Sequence, residues 1–486
     1  MEERKHQVQL MGLIYSTAAR VLIWLGQAEK GANFTMDCLK SLAAGESLDA
    51  HTLSIVKVYF QALFGRSWST RVWVVQELAK AQRDPLIGCG HIWLPWSTFI
   101  QGYTALRHST ASSILSPDNA QSLGRALPIP ASVPDNQMQS FDNLNQIREH
   151  YIAKGGLPLQ HVLYLTMDLK ATDPRDKIYA VLGLLDKHDK GLIQPDYRKP
   201  VQKVYTEAMA ALLRRAGSLQ PACLFAFSRP DSKQMPSWVP DFSNQKRDSP
   251  DNPLAFYDGA DNAPGQRGSY ISMTKDTAPL WTDGLYVDRI DNVVPTGIQD
   301  ESMKHYDEYN LPLSEIEQVA LDKISSVAKA AGLRGLGESE PLWRILIANR
   351  TSATPDETRN PICYDHMYEV LRGRTQVPYN FAKALDHSMD PVHEYTGPYR
   401  HILAAVLLGR SFFTTQNGLM GIGLPGVTKG DVVAVLFGAK LPFILRPYRN
   451  MYRMIGASYV SGITSGKMAD KALRSGRLFP TKFVMC

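Results

Sequence analysis

Apolar residues recur at three- and four-residue spacing through the first turns of the chain. Val8, Met11, Ile14, Tyr15 and Ala18 align with charged residues between them, and this predicts an amphipathic helix. The helix runs into Arg20-Val-Leu-Ile-Trp-Leu25, an apolar run closed by Gly26 and short enough for a buried strand. A helix feeding a buried strand is a fragment of an α/β layer. No strand precedes it, although a lone strand needs neighbours to satisfy its backbone groups. Helical patterning continues over about 32–44, 51–64 and 68–81, the last with Ser67 as its N-cap. Pro85-Leu-Ile-Gly-Cys-Gly-His-Ile-Trp-Leu94 reads as two short strands parted at glycines, and Pro95 opens a helix to about Leu106.

Between Ser109 and Asn136 the period lapses into Ser, Pro, Asn and Ala, which predicts a surface loop. Helices follow over Asp142–Ala153, Leu157–Leu165 and Val201–Ala216. Another is opened by Asp173-Pro174 and buries Ile178, Val181, Leu182 and Leu185. Cys223-Leu-Phe-Ala-Phe227 and Ser237-Trp-Val-Pro-Asp241 read as strand and turn. Strand-like pieces at about 270–294 precede helices near 313–331, 340–349, 377–386 and 399–410. Val432–Phe437, Leu441–Arg446, Tyr452–Ile455 and Ser458–Val460, separated by turn residues, predict an antiparallel meander. The expected organisation is an α/β domain over 1–108, a flexible loop over 109–141 and a helical middle over 142–243. A flexible segment over 244–268 then leads to an α+β, β-rich C-terminal region over 269–486, with antiparallel strands at 411–463.

Composition narrows the class. At roughly 150 residues per domain, 486 residues imply two to three domains. With 44% apolar and 21% charged residues the chain is globular rather than disordered. No apolar run reaches the ~18 residues of a spanning helix, and the start lacks a secretory signal. Five scattered cysteines without a CxxC pair are neither a disulfide scaffold nor a zinc module, and they suit a reducing cytoplasm. The net charge is only +6, and Arg4-Lys5, Arg214-Arg215 and Lys246-Arg247 are short clusters that read as solvated surface. Nucleic acid is not expected as a partner.

Most short motifs carry no chemistry. Gly421-Ile-Gly423-Leu-Pro-Gly426 has the letters of a dinucleotide loop but leads into a strand, so a turn is expected. Gly462-Ile-Thr-Ser-Gly466-Lys467 is one residue short of a P-loop, and Met468 replaces its hydroxyl. It also lacks the predicted strand–turn–helix setting of a nucleophile elbow. Cys89 and His91, two apart on a predicted strand, would face one way, yet a packed cysteine is the plainer reading. No histidines or acids have metal-ligand spacing, and no cofactor is expected. More telling is Arg66-Ser-Trp68-Ser-Thr-Arg71-Val-Trp73-Val-Val-Gln76-Glu77. Here Trp73, Gln76, Glu77 and Lys80 share a helix face, where burial could perturb a carboxylate. A structural pairing of Glu77 with Arg71 or Lys80 is the competing reading.

This segment, with Glu3-Arg4, Gln7-Val8, Met11, Ile14-Tyr15 and Ile23-Trp24-Leu25-Gly26, resembles the heterokaryon-incompatibility (HET) domain of filamentous fungi. Asp173-Pro174-Arg175-Asp176-Lys-Ile178-Tyr179, Trp238-Val-Pro240-Asp241, Gly430-Asp431, Pro442-Phe-Ile-Leu-Arg446 and Tyr459-Val460 are similar to later blocks of its long members. The resemblance implies non-self recognition and programmed cell death, worked through a protein partner or self-association. It also implies a TIR-like, flavodoxin-like fold for the first domain, incomplete because the family's first strands would lie before Met1. Some TIR domains cleave NAD with a helix-borne glutamate. By that analogy Glu77 is the candidate catalytic residue and NAD the substrate of an alternative, enzymatic reading; an inactive, degenerate paralogue is another. The motif positions carried over are Trp24, Gly26, Arg66, Trp68, Arg71, Trp73, Gln76, Asp173, Arg175, Asp176 and Tyr179. Ala457, Ser461 and Lys467 stand where the family commonly has an acid, a histidine and an acid; if those polar groups matter, the resemblance implies that part of the site is lost.

Overall fold

Two compact units divide the chain, Met1–Val204 and Tyr205–Cys486. The computed structural model describes residues 2–28, 31–113, 135–225, 235–245, 271–274, 279–296, 315–332, 340–350, 364–385, 390–407, 409–464 and 467–486.

In the first unit, helix α1 (Glu2–Thr17) leads to strand β1 (Leu22–Trp24), followed by α2 (Ala32–Ala43), α3 (Ala50–Phe64) and α4 (Val74–Ala79). Strands β2 (Leu86–Cys89) and β3 (Ile92–Pro95) precede α5 (Trp96–Ser113), α6 (Asp135–Lys154), α7 (Leu159–Leu165) and the single turn α8 (Asp176–Tyr179). The sheet order is β1-β2-β3, with β1 parallel to β2 and β2 antiparallel to β3. Ile23, Ile87 and Leu94 are in register and buried, and α2 and α5 pack against these strands. Alternation along a strand sends Leu22 and Trp24 to the opposite face, where Trp24 aligns with Gly88 and Trp93.

Several local expectations change. The helix expected over 68–81 is broken: Ser67–Thr70 form a tight turn, Arg71 is extended, and α4 starts only at Val74. The cause is non-local, because Val72 N–H donates to Lys170 O and Lys170 N–H to Thr70 O. Arg66, not Ser67, precedes that turn. Cys89 is buried while His91 is exposed beyond a turn at Gly90, so the two do not face one way. Of the loop expected over 109–141, residues 114–134 lie outside the described residues, and helices α5 and α6 occupy both flanks. From residue 246 onward the segment 244–268 also lies outside them.

The second unit takes in most of α9 (Val201–Ala216), then strands β4 (Ile271–Met273) and β5 (Leu280–Pro295). Among the described residues five helices follow: α10 (Glu315–Gly332), α11 (Leu342–Leu346), α12 (Tyr364–Leu371), α13 (Tyr379–Ala384) and α14 (Pro391–Leu407). The chain ends with β6 (Ser411–Thr415), β7 (Met420–Gly423), β8 (Val432–Leu436), β9 (Phe443–Tyr448), β10 (Met451–Val460), α15 (Lys467–Arg474) and β11 (Pro480–Met485). Strands β5 and β10 are long enough to serve several neighbours each. β5 pairs first with β8 and β11 and then, from Ile290 onward and with a register shift at Ile290/Asn292, with β6. β10 pairs with β9 and, past a shift at Met454/Gly456, with β7. The circuit β5-β6-β7-β10-β9-β8 therefore closes, and bulges at its corners let the strands bend. Leu285, Ile290, Phe413, Val433, Val435, Ile444 and Val460 fill the interior.

The expected strand at Cys223 is instead a tight turn over Gln220–Cys223. Ser237 ties its segment to the barrel, since its Oγ accepts from Met454 N–H and donates to Cys486 O. Of the run Gly421–Gly426, expected as a turn, Gly421–Gly423 instead lie in strand β7 and the turn comes only at Pro425–Gly426. The run Gly462–Lys467, by contrast, does join a strand to a helix, α15. Its Thr464 hydroxyl is spent on the Val460 backbone.

Asp431 and Arg446 form the barrel's main polar joint. Arg446 Nε and Nη2 donate to the two carboxylate oxygens at 2.8 and 2.9 Å, and Thr428 N–H donates to Asp431 at 2.8 Å. Asp431 is 2% exposed, so removing its guanidinium strands a buried charge. Arg446→Ala is expected to lower the stability of the second unit by about 3 kcal/mol in urea unfolding.

Candidate functional site

The motif residues of the first unit converge around the short helix α4. Trp68 is buried against Trp96 and Phe141, with ring centroids 6.2 and 6.4 Å away. Its indole N–H donates to Glu77 Oε2 at 3.3 Å. The Tyr15 hydroxyl on α1 also donates to Glu77. Burial, and then the charge and hydrogen bond of Glu77, push the Tyr15 phenol up to about 12. Glu77 is half-buried, and its contacts run to Trp68 and Tyr15 while Arg71 is exposed.

On the other side of α4, side chains reach a segment about a hundred positions downstream. Trp73 Nε1 donates to Asp176 Oδ2 at 3.1 Å, and Gln76 Nε2 donates to Ala180 O at 2.7 Å. Asp176 accepts a second bond from the Tyr197 hydroxyl. Burial raises the Asp176 carboxyl, and the two donors oppose that shift. The Tyr197 phenol is raised by burial first and by Asp176 next. Arg175 braces the same segment: it grips Asp173 through Nε and Nη2 at 2.9 and 2.8 Å and donates to the carbonyls of Tyr197 and Lys199. Tyr179 donates to Asp196 O at 3.1 Å and meets the Tyr197 ring edge-on at 5.1 Å. Lys177 is buried with its Nζ on the carbonyls of Met167 and Leu169.

Arg66 donates to Leu25 O at 3.0 Å, and its Nη1 lies 2.6 Å from where a Gly26 side chain would begin. Gly26 has φ of +110°, so both conformation and space require glycine there. Trp24 stands apart from this cluster on the open sheet face, stacked on Trp93 with centroids 5.6 Å apart. The structure thus joins Trp68, Trp73, Gln76 and Glu77 through α4 and links them to Asp173–Tyr179. Tyr197 and Arg148 were not singled out by sequence. Arg148 is buried and holds the end of α4 through the carbonyls of Leu78, Ala81 and Arg83. A polar residue inside the α6 stripe was its only signal. Among the described residues no group of His, Cys, Asp or Glu could hold a metal ion, and no helix is long and apolar enough to cross a membrane.

Comparison with known proteins gives matches at both ends. Residues 1–77 match the family model described as heterokaryon incompatibility protein (HET), and residues 378–479 match the Het-6 beta-barrel domain. Heterokaryon incompatibility protein 6, OR allele, of Neurospora crassa is 24% identical, over 97% of this chain and 80% of its own length. No solved structure matches. These matches do not favour the NAD-cleaving alternative.

The Tyr15–Glu77 pairing is open to a spectroscopic check. In tyrosine-labelled protein, Tyr15 is expected to titrate near pH 12, and Glu77→Gln is expected to shift it part of the way toward 10. Burial, the larger cause, stays in place, so NMR titration of the variant should still find it above 10.

Proposed function

The chain is a member of the heterokaryon incompatibility (HET) family, and from that premise we propose that it acts in fungal non-self recognition. In this reading it contributes to a programmed cell-death response from the cytoplasm, through association with a protein partner or with itself. The first unit is taken as a TIR-like, flavodoxin-like layer, in keeping with its parallel β1–β2 pair flanked by α2 and α5. Glu77 is assigned a positioning role, because Trp68 and Tyr15 occupy its carboxylate.

One observation carries the association reading: the sheet face opposite α2 and α5 is apolar and open. Leu22 is 61% exposed, Trp24 48% and Trp93 38%, with the two indoles stacked across the strands. Large adjoining apolar groups held in water mark a surface that gains by being covered, and tryptophan is the side chain most enriched at binding hot spots. The motif helix lies elsewhere in the same unit and keeps the framework of the sheet's neighbours in place.

The joint variant Trp24→Ser with Trp93→Ser tests this reading. It is expected to keep the circular-dichroism spectrum of the parent, because neither ring is buried in the core. It should abolish the growth arrest or death seen when the chain is expressed in an incompatible fungal background. Full killing by a folded double variant would overturn the proposal.

A further inference from the structure

The last helix and the turn after it concentrate positive charge. Between Lys471 and Lys482 the sequence holds four basic residues and no acidic one, against a net charge of +6 for all 486 residues. Lys482 has an acid, Asp283 of β5, directly across the strand pair. Among the described residues, Lys471, Arg474 and Arg477 pair with no carboxylate. Helix α15 turns its apolar side to the barrel, since Leu473 and, just past the helix, Leu478 pack on the barrel core. Lys471 and Arg474, three apart, share the solvent side.

Backbone geometry fixes how these groups project. Gly476 has φ of +69°, so that Arg477 N–H returns to Ala472 O at 2.8 Å and Gly476 N–H to Leu473 O at 3.2 Å, a closure that ends the helix sharply. Beyond it Arg477 is exposed, Leu478 turns inward, and Phe479 stands 69% exposed. Among the described residues nothing lies within 4 Å of where a Gly476 side chain would begin, so the turn juts into open space. A projecting tip with one bare aromatic ring and three cations without carboxylate partners suits a soft anionic surface. The ring enters the apolar layer without needing a shaped pocket, and the long cationic side chains reach charged headgroups around it. An acidic protein would answer the charges but would have to bring a pocket for the ring.

We propose that the tip formed by α15 and Phe479 docks the protein on a membrane surface rich in anionic lipid, with Phe479 set among the headgroups and Lys471, Arg474 and Arg477 on the lipids' anionic groups. The tip belongs to the second unit, so this proposal and the association reading of the first unit stand or fall separately.

The test is flotation of the full chain with vesicles of phosphatidylcholine alone or with about 30 mol% phosphatidylserine, in about 0.1 M salt. Binding is expected only with the anionic lipid, and about 0.5 M salt should release it. Each basic residue near such a surface strengthens binding about fivefold, so Arg474→Gln with Arg477→Gln should weaken it about twentyfold. Phe479→Ser should weaken it about tenfold with the charge unchanged. Arg214→Gln with Arg215→Gln, which removes as much charge from exposed positions at the end of α9, should bind like the parent. All these positions are exposed, and the circular-dichroism spectrum of each variant should match the parent. Failure of the folded parent to bind anionic vesicles would overturn the proposal, as would equal binding to neutral ones. So would a Phe479→Ser chain that floats like the parent, or equal losses from the two arginine pairs. Polyglutamate binding without vesicle binding would assign the tip to an acidic protein instead.

Discussion

The carboxylate of Asp176 sits where two stretches of chain about a hundred residues apart must be held together. It takes an N–H from Trp73 on one side and the Tyr197 hydroxyl on the other. Burial makes its charge costly, as its raised titration point reflects, so the donors compensate for water that has been removed. An acid whose folded pKa is raised binds its proton more tightly when folded. Its contribution is therefore most favourable below the ordinary value of 3.8 and falls as pH rises through the raised one. At neutral pH the joint holds because hydrogen bonds to an ionised acceptor contribute about 1.5–3 kcal/mol each, against a comparable desolvation cost. Gln76 on Ala180 and the Arg71–Lys170 bridge repeat the same junction with neutral groups.

The motif residues of both units share this character. Arg175 on Asp173, Arg66 on Leu25 O, and Arg446 on Asp431 each place a planar guanidinium against a backbone carbonyl or a carboxylate. Exchanging such residues removes charge-assisted hydrogen bonds that tie distant segments, which gives a physical reason for their pattern without invoking catalysis. The open sheet face with its tryptophan pair is a different part of the first unit. The motif framework and the tryptophan pair are thus separate features of the first unit.

Sequence pattern reached the elements whose causes are local. The run from Leu22 to Trp24 and its closing glycine, the helix Val201–Ala216, and the strands from Ser411 to Val460 all follow from period and turn chemistry. It also drew attention to Trp73, Gln76 and Glu77, and it left open whether Glu77 pairs or reacts. It could not show that Arg71 is pulled into an extended conformation by Lys170, because the partner lies far along the chain. Tyr197 carries no periodic signal, and its role exists only once Asp176 is beside it. The bend of β5 from one set of neighbours to another was likewise hidden, since a bulge is fixed by pairing and not by composition.

The most direct measurement is a double-mutant cycle on Trp73→Phe and Asp176→Asn, read by urea unfolding of the full chain. Phenylalanine keeps the aromatic packing and removes the N–H, while asparagine keeps the shape and removes the charge. If the motif helix is held through this carboxylate, the two changes should couple by about 1–3 kcal/mol. Effects that simply add, to within about 0.3 kcal/mol, would contradict the account.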